Sequence, residues 1–259
     1  MIGFIGFGKM GSALAKSLVK KGIAKSEIIC FDPNKELIEK EGFVTAENSL
    51  KVAEKSETIF VCVKPNTVGK ILEEIKPKVE NQIVVSIAAG IKISAMKKAL
   101  GKKKIVRVMP NICALAGEAA CAFTSINLTK NEKTKVKELL ENFGVAIEVE
   151  EKNFDGVTGL SGSGPAFVAY FLEAMAEAGT KNGLGKKEAY ELALQTLIGT
   201  GKLLKESKMG TKELIEMVSS PNGTTIAGRK ILEKGEFKKI IEKTITKAKE
   251  KSEELGKNE

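Results

Sequence analysis

The sequence predicts an α/β domain built on a parallel sheet, followed by an all-α domain. Up to about residue 150, short runs of β-favouring residues alternate with amphipathic stretches, the pattern of a parallel sheet flanked by helices. After about Phe154 the strand pattern stops, and the hydrophobic periodicity becomes helical for the rest of the 259 residues. We therefore predict a first domain over residues 1–152 and a second over residues 153–259.

Each element follows from local patterning. The predicted strands are Ile2–Gly6, Glu27–Phe31, Thr58–Val63, Gln82–Ile87, Lys104–Val108, Ala119–Ser125 and Val145–Val149. The helices predicted between them are Lys9–Lys21, Lys35–Glu41, Thr67–Ile75, Ser94–Ala99 and Lys130–Asn142, the last opening with a capping-box spacing from Thr129 to Glu132. The second domain is predicted to contain helices Gly164–Asn182, Lys186–Glu206, Thr211–Ser219, Thr224–Leu232 and Phe237–Leu255.

Composition excludes several classes of protein. The longest strongly apolar run, Ile83–Ile91, is far shorter than the roughly 20 residues of a membrane-spanning helix, so we expect no membrane partner. The first residues lack a basic region and a cleavage site, which favours a cytoplasmic protein. The 4 cysteines show no CxxC spacing, and Cys30 and Cys62 lie in apolar, strand-like segments. We interpret them as reduced core residues and expect no metal site.

Histidine is absent, which excludes Ser-His-Asp and Cys-His catalysis, HExxH zinc hydrolysis and any histidine general base. The formal net charge is +9, but Arg107 and Arg229 are the only arginines, and the lysines are dispersed among glutamates. A nucleic-acid interface usually concentrates its positive charge and adds arginine or stacking aromatics. We therefore expect no nucleic-acid partner, and only modest attraction for small anions.

A glycine-rich turn joins the first strand to the first helix. It matches the pattern G-x-G-x-x-G with the residues Gly6, Phe7, Gly8, Lys9, Met10 and Gly11. The first glycine permits a tight turn, the second lets a pyrophosphate approach the backbone, and the third allows the helix to pack closely on the strand. This context predicts a Rossmann-type dinucleotide site at the helix N-terminus. The alternative is a structural glycine turn that binds nothing.

Asp32 stands 32 − 11 = 21 residues beyond the last motif glycine, at the end of the second strand. A carboxylate at this place can accept a hydrogen bond from the adenine ribose 2′-hydroxyl, which favours NADH. Asn34 and Lys35 could still receive a 2′-phosphate, so NADPH stays open. The sequence Asp32-Pro33-Asn34 also suits a plain turn before a helix.

Three further segments follow strands at the carboxyl edge of the sheet, where ligands of this fold collect: Val63–Asn66, Ser86–Gly90 and Arg107–Asn111. In the second domain, the segments Gly159–Phe167 and Val218–Thr225 carry more glycine and hydroxyl than helix packing needs. The latter precedes a predicted helix N-terminus, whose unpaired N–H groups suit a carboxylate. Together they suggest a small carboxylic acid as substrate, with two ordinary interhelical turns as the alternative.

With these motifs in this order, the chain resembles the pyrroline-5-carboxylate reductase family over nearly its whole length. The blocks Asp155–Phe167 and Ser219–Thr225 are the most specific to that family. The resemblance implies a 6-phosphogluconate-dehydrogenase-like arrangement and reduction of 1-pyrroline-5-carboxylate to L-proline by NADH or NADPH, the last step of proline biosynthesis. It also implies interlocked dimers, sometimes assembled into decamers. The apolar helices of the second domain independently predict at least a dimer.

The resemblance implies a role for each matching residue. Cofactor contacts fall on the glycine motif for the pyrophosphate, on Asp32 and Asn48 for the adenosine half, and on Val63, Lys64, Pro65, Ala88, Ala89 and Gly90 for the nicotinamide-ribose side. Substrate contacts fall on Val218, Ser220, Gly223, Thr224 and Thr225, with the Thr225 hydroxyl near the ring nitrogen as the catalytic group. Asn222 replaces a glycine that is usual in the family, and because asparagine tolerates left-handed angles we expect this turn to survive.

The missing histidine is consistent with imine reduction. Solvent can protonate a cyclic imine near neutral pH, so the protein mainly has to align the iminium carbon with the nicotinamide. One alternative is another imine or β-hydroxyacid-type dehydrogenase of the same architecture. The latter carries a catalytic lysine where this chain has Val168, which cannot act as a base. Another alternative, a cofactor-binding sensor without turnover, is disfavoured because Thr224 and Thr225 are both present.

Overall fold

The computed structural model describes residues 1–256 and divides into two compact units. The first unit comprises Met1–Ser163 together with the end of the chain from Thr246, and the second comprises Gly164–Ile245. The division into domains at residues 152 and 153 stays a prediction. Within residues 1–256, no helix is both long and apolar enough to cross a bilayer.

The described residues of the first unit form an eight-stranded sheet. Its strands are β1 (Ile2–Ile5), β2 (Ile28–Phe31), β3 (Val44–Thr45), β4 (Thr58–Val61), β5 (Ile83–Ser86), β6 (Lys104–Met109), β7 (Ala119–Ile126) and β8 (Gly144–Glu148). Their order in space is β3-β2-β1-β4-β5-β6-β7-β8. The strand order reverses between β1 and β4, the topological switch point at which nucleotides bind in such sheets. The predicted α/β class is confirmed.

The sheet departs from a purely parallel arrangement at one pairing. Among the described strands, β6 and β7 are antiparallel, with Met109 opposite Ala122, whereas the other neighbouring pairs are parallel. The strands β7 and β8 therefore run opposite to the first six. The loop Ile112–Ala116 between β6 and β7 is a short 3₁₀ helix, which suffices for an antiparallel return but not for a parallel crossover.

Helices surround this sheet and make up the second unit. In the first unit they are α1 (Lys9–Lys20), α2 (Glu36–Glu39), α3 (Ser49–Lys55), α4 (Pro65–Ile75), α5 (Ile93–Leu100), α6 (Lys130–Glu141) and α7 (Phe154–Val157). The others are α8 (Gly164–Lys181), α9 (Lys186–Ser207), α10 (Thr211–Met217), α11 (Thr224–Lys234) and α12 (Phe237–Leu255), and α12 ends in the first unit. The predicted helices after residue 163 are confirmed with small shifts at their ends, while β3 and α3 were not predicted.

The sheet is buried on both faces, which explains why its strands read as continuous apolar runs. Successive side chains of a strand point to opposite faces. Accordingly, Phe4 and Phe60 lie in one hydrophobic cluster, stacked with ring centroids 4.9 Å apart, whereas Ile5 and Val61 lie in the other. The strands β1 and β4 thus each contribute side chains to two separate hydrophobic clusters, one on either face of the sheet.

The predicted cap of α6 is confirmed. The Thr129 hydroxyl accepts a hydrogen bond from the Glu132 N–H at 3.3 Å, and the Glu132 carboxylate accepts one from the Thr129 N–H at 2.8 Å. Lys104 also contacts this carboxylate, at 2.7 Å. The hydrogen bond from Lys104, and then those from Thr129, lower the pKa of Glu132 to about 2.

The cysteines are free thiols, and we expect them to differ in reactivity. Burial raises the pKa of Cys30 and of Cys121 to about 12, and burial likewise raises the pKa of Cys62. A raised pKa keeps these thiols protonated at neutral pH, so their reactive thiolate forms only at high pH. Cys113 lies half-buried in the 3₁₀ loop. We predict that iodoacetamide at pH 8 labels Cys113 first, read by mass spectrometry, and that rapid labelling of Cys30 in folded protein would contradict this burial.

Candidate active site

The glycine turn after β1 has the geometry that its motif requires. Gly6 has a φ of +95°, and a Cβ there would lie 2.7 Å from the carbonyl oxygen of Cys62. A Cβ at Gly11 would lie 2.2 Å from the carbonyl oxygen of Gly6. These two positions therefore tolerate no side chain. At Gly8, by contrast, no atom in the part of the chain that the structure describes, beyond its chain neighbours, lies within 4 Å of a Cβ.

The open space at Gly8 lies at the N-terminus of α1. Gly8 is the N-cap residue, and no described side chain caps it. The first N–H groups of a helix have no partner within the helix, and the helix dipole favours a negative charge beside them. A Cβ-free backbone position, open surroundings and free N–H groups fit the pyrophosphate of a dinucleotide. The cofactor roles of the six motif residues, Gly6 to Gly11, stay predictions.

Asp32 fastens the glycine turn from the end of β2. Its Oδ2 accepts a hydrogen bond from the Phe7 N–H at 2.7 Å, and its Oδ1 accepts one from the Asn34 N–H at 3.0 Å. The Phe7 ring is buried in edge contact with Phe43, 5.3 Å between centroids. The Phe7 N–H thus donates within the protein, which the motif alone did not predict. The ribose contact predicted for Asp32 stays a prediction.

Asn48 serves as the N-cap of α3, and its Oδ1 accepts a hydrogen bond from the Lys51 N–H at 2.9 Å. An asparagine before a helix is a recognisable cap signal, so this role could have been found in the sequence. The adenosine contact implied for Asn48 by the family resemblance stays a prediction.

The two segments predicted to contact the nicotinamide-ribose side of the cofactor follow neighbouring strands. Val63 and Lys64 lie between the end of β4 at Val61 and the start of α4 at Pro65, where a proline suits the first helical position. The turn after β5 contains Ala88, Ala89 and Gly90, and its Gly90 has a φ of +83°. Because β4 and β5 are parallel neighbours, both segments lie at the same edge of the sheet.

A cavity of about 300 Å³ connects these segments with the end of α12. It is lined by Pro65, Ala89, Gly90, Thr158, Ser163, Ala248, Lys251, Ser252 and Leu255. Ser252 is buried, and its hydroxyl donates a hydrogen bond to the Asp155 carboxylate at 2.6 Å. Sequence reasoning missed the α12 contribution, because a serine in a run of lysine and glutamate reads as a solvated position.

The predicted segment Arg107–Asn111 is held firmly in place. The Asn111 side chain accepts hydrogen bonds from the N–H groups of Cys113 at 3.2 Å and Ala120 at 3.4 Å, and donates one to the Ser161 carbonyl at 3.1 Å. Ser161 belongs to a π-helical turn, Thr158–Gly162. The Gly159–Phe167 block thus begins as an irregular turn tied to the sheet, a feature often found at functional sites.

The predicted substrate segment lies in the second unit, before α11. Gly223 is the N-cap of α11, and a Cβ there would lie 2.4 Å from the Ser220 Oγ. Asn222 has a φ of +59°, so the expected left-handed turn is confirmed. Thr224 and Thr225 occupy the exposed first turn of the helix, where N–H groups lack helical partners. The substrate roles of Val218, Ser220, Gly223, Thr224 and Thr225 stay predictions.

Comparison with known proteins identifies the family. The pyrroline-5-carboxylate reductase of Aquifex aeolicus is 41% identical over 259 residues, an alignment that covers 98% of this chain and 97% of the relative. This chain belongs to the pyrroline-5-carboxylate reductase family. The Escherichia coli pyrroline-5-carboxylate reductase is 36% identical, with 99% of this chain and 98% of the relative covered.

Family models and solved structures agree with membership of the pyrroline-5-carboxylate reductases. A model described as pyrroline-5-carboxylate reductase dimerisation matches residues 151–255, and one described as NADP oxidoreductase, coenzyme F420-dependent, matches residues 1–90. A Coxiella burnetii pyrroline-5-carboxylate reductase structure superposes with a TM-score of 0.93 at 28% identity, covering 98% of this chain and 97% of the other. The Plasmodium falciparum pyrroline carboxylate reductase with NADP bound has a TM-score of 0.88 at 33% identity, with coverages of 98% and 97%.

Proposed function

We propose that this chain reduces the C=N bond of 1-pyrroline-5-carboxylate to L-proline with a hydride from NADPH or NADH. The observation that carries the proposal is the 41% identity to a curated pyrroline-5-carboxylate reductase along 98% of the chain. The Plasmodium falciparum relative binds NADP, and the open backbone at Gly8 fits the pyrophosphate of such a cofactor.

The family resemblance assigns the cofactor to turns of the first unit and the substrate to the α11 N-terminus of the second unit. The glycine turn and the N-terminus of α1 bind the pyrophosphate, while Lys64–Pro65 and Ala88–Gly90 take the nicotinamide-ribose side. The free N–H groups before Ile226 receive the substrate carboxylate, and the Thr225 hydroxyl lies near the ring nitrogen. The bound nicotinamide supplies the hydride, which forms the new C–H bond at the imine carbon.

The protein then needs to orient the substrate rather than supply a strong acid. The imine nitrogen takes its proton from solvent, and the C=N electron pair becomes the nitrogen lone pair when the hydride adds to carbon. A chain with no histidine can support this chemistry, because alignment of two bound reactants can by itself lower the barrier by about 7–11 kcal/mol.

A homo-oligomer is part of the proposal, at least a dimer and in some assemblies a decamer. None of the α8 residues, all of which the structure describes, is buried. Tyr170 in α8 is 75% exposed, and Leu192 in α9 is 58% exposed. Such apolar exposure marks an interaction surface, and the dimerisation model matches this region. Sedimentation as a monomer at micromolar concentration would reject the proposed oligomer.

The cytoplasmic location and the domain boundary at residues 152 and 153 also belong to the proposal.

The decisive experiment follows the absorbance of the reduced nicotinamide with purified protein and racemic 1-pyrroline-5-carboxylate. NADH and NADPH are compared side by side. Imine-dependent oxidation of either cofactor supports the reaction. If the protein binds a cofactor but does not oxidise it when the imine is added, the reductase assignment is rejected.

Cofactor choice is expected to depend on Asp32. Replacing it with serine removes a half-buried carboxylate that repels a 2′-phosphate, and should raise the NADPH-to-NADH ratio of kcat/KM about tenfold. Glu36→Gln is the matched control, since Glu36 is an exposed carboxylate in α2 to which no ligand contact is assigned. An unchanged ratio in Asp32→Ser would show that Asp32 serves only to hold the glycine turn.

A further inference from the structure

The turn between β5 and α5 is held at both ends by side chains. At its start, the Ser86 hydroxyl accepts a hydrogen bond from the Ala88 N–H at 3.3 Å. At its end, the Glu151 carboxylate accepts one from the Ile93 N–H at 2.6 Å, across 58 positions of sequence. Lys92, the N-cap residue of α5, supplies no side-chain cap. The cap therefore comes from Glu151, whose negative charge also suits the helix N-terminus.

Glu151 is itself held by a buried arginine. The Arg107 Nη1 lies 3.1 Å from the same Glu151 oxygen, and the Arg107 side chain is 6% exposed. The Phe154 ring centroid lies 4.4 Å from the Arg107 Cζ. A buried guanidinium needs a charged partner, and among residues 1–256 the ion pair of Arg107 is with Glu151, so the Glu151 carboxylate cannot turn away without breaking it.

The backbone of Arg107 lies beside the start of the turn between β5 and α5. In the β5–β6 pairing, Arg107 lies opposite Ser86, the last residue of β5. Arg107 and Glu151 therefore connect the β5 end of the turn with its α5 end. The residues between these ends include Ala88, Ala89 and Gly90, which we assign to the nicotinamide side.

We propose that Arg107 and Glu151 are positioning residues for hydride transfer, acting by fixing the β5–α5 turn against the nicotinamide ring. The proposal rests on the proposed function and names two residues that have no assigned role in it. Neither residue needs to touch the cofactor. Hydride transfer depends steeply on the distance and angle between donor and acceptor, so small displacements of the turn lower kcat.

The test compares Glu151→Ala and Glu151→Gln with a matched control, Glu150→Gln. Glu150 is the preceding residue, its side chain is 71% exposed, and its Oε2 lies 2.6 Å from the Nζ of Lys152, which is also exposed. For each protein, kcat and KM are measured, and calorimetry gives dissociation constants for the whole dinucleotide and for its ADP-ribose part. The ADP-ribose part carries the 2′-phosphate if NADPH is the preferred cofactor.

We expect Glu151→Ala to lower kcat about tenfold and to weaken binding of the whole dinucleotide, with ADP-ribose binding unchanged. Glu151→Gln keeps an oxygen for the Ile93 N–H but loses the charge opposite Arg107, so its kcat should lie between those of Glu151→Ala and wild type. Glu150→Gln should match wild type. If Glu151→Ala does not fold, a kcat loss of about threefold or more in Glu151→Gln supports the proposal.

Two results would overturn the proposal. One is a wild-type kcat in folded Glu151→Ala or, failing its folding, in Glu151→Gln. The other is an equal loss of affinity for the dinucleotide and for ADP-ribose together with a lowered Tm, which indicates a general structural role. If wild type binds dinucleotides but reduces no imine, the proposed reaction fails, and the ratio of the two dissociation constants still tests the turn.

Discussion

Replacing Thr225 with alanine is expected to lower kcat/KM for 1-pyrroline-5-carboxylate about 100-fold, the loss that misplacement of a bound reactant by about 1 Å can cause. Thr225 is the second residue of α11, in an exposed first turn that follows the tight turn at Asn222 and Gly223. Its hydroxyl is the group that we assign to the ring nitrogen, whose charge changes as the hydride arrives. Steady-state kinetics on the imine, with cofactor affinity measured separately, checks this expectation.

Two variants control for damage to the helix. Thr225→Ser keeps the hydroxyl and should recover most of kcat/KM. Thr211→Ala changes another exposed threonine, at the start of α10 and also after a glycine N-cap, and should leave kinetics unchanged. A wild-type kcat/KM in Thr225→Ala would show that the Thr225 hydroxyl takes no part in the reaction. Alignment of the substrate by the backbone N–H groups of α11 would then account for the role of this segment.

Local signals explain which parts of the fold could be predicted from the sequence. The glycine turn was predictable because Gly6 and Gly11 are required by contacts within a few residues or with the adjacent strand. The strand β3 has two residues, Val44–Thr45, which is too short for an alternation pattern. The direction of β7 follows from its pairing with β6, which no local pattern records. Sequence patterns therefore miss β3, and they place β7 in a parallel sheet although β7 runs antiparallel to β6.

The contacts that support the candidate site lie beyond such local signals. Glu151 meets Ile93 across 58 positions and Arg107 across 44, and Ser252 meets Asp155 across 97. A glutamate among charged residues reads as solvated, and only tertiary packing shows that Glu151 caps a helix. Sequence patterns thus locate the parts that would touch ligands, whereas the side chains that hold those parts in place emerge only from the fold.

Replacing Gly8 with alanine is expected to separate cofactor binding from folding. Gly8 has a φ of −69°, which alanine adopts readily, and an added Cβ meets no described atom within 4 Å beyond its chain neighbours. The Tm should therefore change little. The added methyl group would occupy the space through which a pyrophosphate approaches the backbone, so the dissociation constant for the dinucleotide should rise at least about tenfold, or about 1.4 kcal/mol.

Two other glycines calibrate that result. Gly11→Ala places its Cβ 2.2 Å from the Gly6 carbonyl oxygen and should lower the Tm as well as the affinity, because the backbone itself must shift. Gly69→Ala lies in α4 with open surroundings and should leave both unchanged or raise the Tm slightly. Thermal unfolding and calorimetry measure the two quantities on the same samples. If Gly8→Ala bound the dinucleotide as tightly as wild type, the pyrophosphate could not lie against this turn, and the open space at Gly8 would be an ordinary surface feature.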